Sequence, residues 1–215
     1  MLASIHPLGE RARRNRWSRT VAAYVAGSVA GGAVVGAVLG AGAGRIGLGP
    51  AALGPVGLGV IVAAAAVVAI GLDAGIGGVA VPTVRRQVDE RWLSRYRGWV
   101  YGVGFGFQLG AGVVTIVTSA AVYVALALAL LTGSAAGGLT VGATFGLVRS
   151  LPVLAGARVR DPGHLRRLHR RLQAGAGMAS LATTACLVAL ALAGVALAVA
   201  GAWPAGGPWR GGTGR

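Results

Sequence analysis

Five long apolar runs, at about residues 20–43, 54–81, 99–131, 135–157 and 175–202, constrain this chain more than any other feature. Crossing the roughly 30 Å hydrocarbon core of a bilayer takes about 20 mainly apolar residues in a helix, and every run is long enough. Backbone facing lipid must satisfy its own hydrogen bonds, which leaves helices or closed barrels. The runs are continuous rather than alternating, so they do not read as barrel strands. The expected fold is all-α, a polytopic membrane helix bundle of about five transmembrane helices. Composition agrees, with 55% hydrophobic residues, 12% charged residues and a mean hydropathy of +0.71, against about 25% charged in soluble domains.

The arginines orient the bundle. Arg11, Arg13, Arg14, Arg16 and Arg19 precede the first run; Arg85, Arg86, Arg91, Arg95 and Arg97 fill the second loop; Arg158, Arg160, Arg166, Arg167, Arg170 and Arg171 fill the fourth. The alternate segments carry only Arg45, then none, then Arg210 and Arg215. The positive-inside tendency predicts a cytoplasmic N-terminus and an outside C-terminus. Residues 1–19 then form a basic cytoplasmic segment, 20–202 the bundle and 203–215 a disordered outside tail. Trp17, Trp92, Trp99, Trp203 and Trp209 all fall at predicted span ends, where aromatic belts belong. The Ala, Gly and Arg bias without lysine points to a bacterial protein of the cytoplasmic (inner) membrane.

Two spans are irregular. The third, rich in glycine over its first half, is too long to cross upright and is expected to be unwound, broken or strongly tilted. The second is also long, and Pro82 is expected to end or kink it. Between the fourth and fifth, "DPGHLRRLHRRLQ" reads as a separate interfacial helix over about 162–173. Asp161 is its N-cap and Pro162 its first residue, with Leu165, Leu168 and Leu172 on one face. Arg166, Arg167, Arg170 and Arg171 on the other face would meet anionic lipid headgroups.

Several chemistries are excluded or unsupported. The +15 formal charge comes entirely from arginines clustered between apolar runs, so nucleic acid is not an expected partner. Without lysine there is neither a Walker A loop nor a Schiff-base lysine, and "GAGRIG" at 42–47 ends a membrane helix rather than following a strand. His6, His164 and His169 lack metal-site spacing, and Cys186 is the only cysteine, so no disulfide forms within the chain. No nucleophile–base set is visible; no enzyme, metal or cofactor is expected.

Glycines recur every fourth residue in three spans: Gly32, Gly36, Gly40 and Gly44; Gly102, Gly106 and Gly110; Gly138, Gly142 and Gly146. Small residues so spaced let helix backbones approach closely, within the bundle or between copies or membrane partners. The remaining candidates are Asp73, Gln108 and Arg149. Counted at 1.5 Å per residue from the loop arginines, they lie about 18, 16 and 14 Å deep, nearly one level. Intramembrane charges seek partners, so Asp73 is expected to pair with Arg149, with Gln108 in the same layer. Such a layer serves either as a register-fixing ion pair or as a substrate, proton or ion site; the remaining alternative is that the three residues are independent of one another.

The run "RGWVYGVGFGFQLGAGVVTIVTSAAVYVALALALLTG" followed by "GGLTVGATFGLVRSLPVLAG" resembles the second half of the membrane domain of cytochrome-c-biogenesis and DsbD-type thiol-disulfide carriers, of the LysE-type transporter superfamily. The resemblance implies two inverted three-helix repeats, with a first helix lying upstream of the present start or missing. It also implies a scaffold for electron transfer or small-solute export. Where the family carries its redox cysteine, this chain has Gly110 to Val114, so thiol exchange is unsupported. The expected function is a small-solute transporter or exporter; the alternative is an accessory or assembly subunit of a membrane redox or envelope complex.

Overall fold

The computed structural model describes residues 5–78, 81, 95–112, 117–159 and 161–203. The helices are α1 (Pro7–Ala12), α2 (Trp17–Arg45), α3 (Pro50–Asp73), α4 (Gly98–Ala111), α5 (Ala121–Leu131), α6 (Ala135–Ser150) and α7 (Pro162–Ala202). Short 3-10 segments follow α3 (Ile76–Gly78) and α6 (Leu151–Arg158), and there is no strand among the described residues. Four stretches are long and apolar enough to cross a membrane: Trp17–Arg45, Pro50–Asp73, Ala135–Ala157 and Pro162–Ala202. The chain is an all-α, multi-pass membrane protein.

Glycine decides how these helices pack. A Cβ built on Gly32 would lie 2.1 Å from the Gly142 carbonyl oxygen, on Gly36 2.1 Å from that of Gly138, and on Gly40 2.2 Å from that of Ser134. One number rises as the other falls, so α2 and α6 are antiparallel. The neighbouring face of α2 receives α4 in parallel: Gly102, Gly106 and Gly110 lie against the carbonyls of Thr20, Tyr24 and Ser28. Gly146 also meets the Ser28 carbonyl, while the buried Ser28 hydroxyl donates to Gly146 O at 2.7 Å. Each glycine costs its helix about 1 kcal/mol relative to alanine. The loss is offset by dispersion and Cα–H···O contacts that only backbones this close can make. A second glycine seam joins α3 and α7, where Gly59 and Gly194 face each other's carbonyls. The short α5 touches α2, α3 and α6 and so connects the two packed groups.

Several sequence expectations are corrected. The second span does not run to residue 81: α3 starts at Pro50, bends at Gly54 and ends at Asp73, because Gly75 and Gly78 take left-handed backbone that no helix continues through. The third span, expected to be unwound, broken or strongly tilted, is two helices of 14 and 11 residues, parted after Gly112 at φ 76°. No separate helix covers 162–173. Instead α7 runs from Pro162 to Ala202 without a break, since Gly175 and Gly177 weaken a helix but do not stop it. Its 41 residues, about 60 Å long, exceed the bilayer core twofold. Arg166, Arg167, Arg170 and Arg171 therefore ride on an extension of a membrane helix. Residues 1–19 are not merely a basic tail, since α1 docks on the bundle with Ile5 and Glu10 buried. Pro82, Trp92, Trp209 and the expected disordered tail beyond Trp203 lie outside the described residues.

Candidate functional site

Asp73 is the last residue of α3, where the helix dipole disfavours a carboxylate. It reaches across to the start of α5 instead. The Ala120 backbone N–H donates to its Oδ1 at 2.6 Å and the Ser119 hydroxyl to its Oδ2 at 2.6 Å. Ser119 Oγ in turn accepts from the Ala121 N–H at 3.2 Å. The Ala120 amide at the N-cap of α5 is thus met by a carboxylate 47 residues earlier in the chain, the polarity a helix N-terminus favours. Asp73 remains exposed, on a cavity of about 460 Å³ lined also by Thr118, Ser119, Ser180 and Thr183. No basic side chain among the described residues lines it. Each carboxylate oxygen keeps lone-pair capacity beyond the hydrogen bond it already accepts.

The expected pairing of Asp73 with Arg149 is not formed. Arg149 holds its guanidinium 5.5 Å from the centroid of the Phe145 ring. Gln108 lies two residues before Gly110 and Arg149 three after Gly146, and both glycines meet Ser28. Since α4 and α6 run in opposite senses, Gln108 and Arg149 sit at similar depth, about 3 and 4.5 Å to the same side of Ser28. The structure places these two at one level, and Asp73 in a different group altogether. What drew Asp73 away is the break in the third span: it exposes helix amides that attract a carboxylate more directly than a distant cation.

A second polar cluster was not foreseen. Glu10, fully buried, accepts from the Thr20 hydroxyl at 2.8 Å and from the Tyr101 hydroxyl, and pairs with Arg13 at 3.0 Å. It pins α1 beneath α2 and α4, beside a core of Ile5, Val21, Tyr24, Tyr101, Phe105 and Val153. Arg13 is partly exposed, so the main cost of removing Glu10 is the buried Thr20 and Tyr101 hydroxyls left without their acceptor, about 1–3 kcal/mol. Glu10 is easily overlooked among five arginines, although its three-residue spacing to Arg13 is a helix-pair signal. His6 caps α1 by accepting the Gly9 N–H at 3.1 Å through Nδ1. Burial, then nearby Arg13, pushes its pKa below the ordinary value. At the head of α7 the His164 backbone N–H donates to Asp161 at 2.8 Å and is the main cause holding that carboxyl below its usual range.

No protein-family model and no solved structure matches the chain. It is similar to the methylamine utilization protein MauF of Methylophilus methylotrophus, 38% identical over 72 residues. The match takes in 34% of this chain and spans about a quarter of the relative's length (25%).

Proposed function

We propose that this chain is a small-solute transporter whose pathway passes the cavity beside Asp73, and that its solute is a small cation. One observation carries the reading: a carboxylate at the break of a discontinuous apolar helix, opening on a cavity lined with hydroxyls. Ionisable groups within membrane segments mark pathways by default, and broken helices are where transporters gather their ligands. Irregular backbone at that depth needs protein or a water-filled cavity around it. A cation would be held by Asp73 and helped by Thr118, Ser119, Ser180 and Thr183 oxygens. Arg149 and Gln108 stand apart from the cavity lining and are not assigned to the pathway.

The test is solute-driven flux in proteoliposomes, with a panel of small ammonium and metal cations and small anions, for wild type and Asp73→Asn at matched incorporation. The expected result is cation flux that falls at least about tenfold in the variant, the loss of one charged contact. Equal flux in both proteins would remove Asp73 from the pathway.

A second reading, an accessory subunit of a membrane system, is favoured by the likeness to MauF, a methylamine utilization protein. The cytochrome-c-biogenesis resemblance is compatible with it. Stable co-purification of another membrane protein, together with absence of flux for every solute tried, would support this reading over transport.

A further inference from the structure

A cavity of about 440 Å³ lies at the opposite end of α4 from the Asp73 site, among Arg14, Arg16, Arg19, Arg97 and Trp99. Four arginines, each exposed, line one open cavity. Among the described residues the ion pairs are Arg13–Glu10 and His164–Asp161, so none of the four is matched by a described carboxylate. Glu10, four residues before Arg14, is already occupied by Arg13, Thr20 and Tyr101.

The backbone adds positive charge to the same place. Helices α2 and α4 run in parallel and start side by side, with Gly98 packed against Thr20 and Asn15. Their N-caps are Arg16 and Arg97, and neither helix has a side-chain cap. An arginine at a helix N-terminus opposes the macrodipole, and here the opposition occurs twice within one cavity.

Arg14, at φ 58° the only left-handed residue other than glycine among those described, closes α1. Its N–H donates to Arg11 O at 3.0 Å and the Asn15 N–H to Glu10 O at 2.8 Å, the bonds of a Schellman helix end. Asn15 Nδ2 also donates to the Tyr101 hydroxyl at 3.4 Å, so the turn that carries Arg14 onto the cavity is held from both sides.

From this convergence we infer that the cavity binds a phosphate group, supplied by an anionic phospholipid headgroup or by a free phosphate anion. Arginine forks match phosphate oxygens bidentately, and uncapped helix amides point at an anion there. Trp99, 57% exposed at the rim, is placed as aromatic side chains are at headgroup level. This inference does not depend on the transport reading.

The experiment is native mass spectrometry of the delipidated full chain, with phosphatidylglycerol, phosphatidylcholine and inorganic phosphate as separate probes. Wild type is compared with Arg16→Gln/Arg97→Gln and with Arg166→Gln/Arg170→Gln, which removes equal charge from α7. Wild type and the α7 variant are expected to retain one phosphatidylglycerol and the cavity variant to bind it roughly 30-fold more weakly. Phosphatidylcholine should be weak throughout. Displacement of the lipid by millimolar phosphate would identify a site that also takes the free anion; resistance to it would identify a lipid headgroup site. Because the double variant alters two helix starts, Arg14→Gln and Arg19→Gln are tested singly, each expected to weaken binding about fivefold. Equal retention in wild type and all cavity variants, or equal loss in the cavity and α7 variants, would overturn the assignment.

Discussion

At the scale of single residues, the buried His6, Glu10 and Thr20 hold α1 in place. His6 does so only when neutral, because Nδ1 must accept the Gly9 N–H. Its folded pKa lies below the ordinary 6.5, so the unfolded chain binds the proton more readily. The sign follows from linkage: stability from His6 is fully present above pH 6.5 and is lost as pH falls through the depressed folded value. Hydrogen-exchange protection of residues 9–12, corrected for intrinsic rate, should therefore drop between pH 7.5 and 5, about the range a depressed histidine titrates. His6→Asn keeps a good N-cap acceptor without the titration, and its protection should stay flat. A wild-type profile as flat as the variant's would show that the cap does not hold α1.

At the scale of elements, α2 is the strut on which α4 and α6 are mounted, and its glycines decide how closely they sit. Gly36→Ala would push a Cβ to 2.1 Å from the Gly138 carbonyl oxygen, a backbone atom that cannot swing aside. The helices must separate, with an expected loss of about 1–3 kcal/mol. Gly42, six residues on along the same helix, has nothing within 4 Å of its added Cβ. Gly42→Ala should stabilise by about 0.5–1 kcal/mol through helix propensity. Reversible unfolding in mixed detergent micelles compares the two, and similar effects would refute the close-packing account. The bundle class was legible because apolar run length is a direct consequence of bilayer thickness. The partner of Asp73 was not, because a carboxylate seeks the nearest unsatisfied amides, and those appear only once the third span breaks. Ser119 before an apolar run is an N-cap signal, yet within "TIVTSAAVYV" the apolar continuity outweighs it. The length of α7 was hidden by a charge change along "HRRLQAGAG", which alters what surrounds a helix without ending it.

At the scale of the whole molecule, chain direction and charge agree. Helices α2 and α4 start at the same end, α6 finishes there, and α7, antiparallel to α3, starts there too. The described arginines of α1, of the starts of α2 and α4 and of the first turns of α7 thus gather at one end, while Arg45 lies at the other. The positive-inside tendency predicts the orientation with the arginine end inside, which would put the protruding half of α7 in the cytoplasm and the turn after α2 outward. In a Cys186→Ser background, Ile46→Cys, at a position 73% exposed, should react with a membrane-impermeant maleimide in intact cells. Arg167→Cys should react only after permeabilisation. The reverse pattern would invert the molecule, and would place both the arginine cavity and the long α7 extension outside, where anionic leaflet lipids could not be the source of the phosphate.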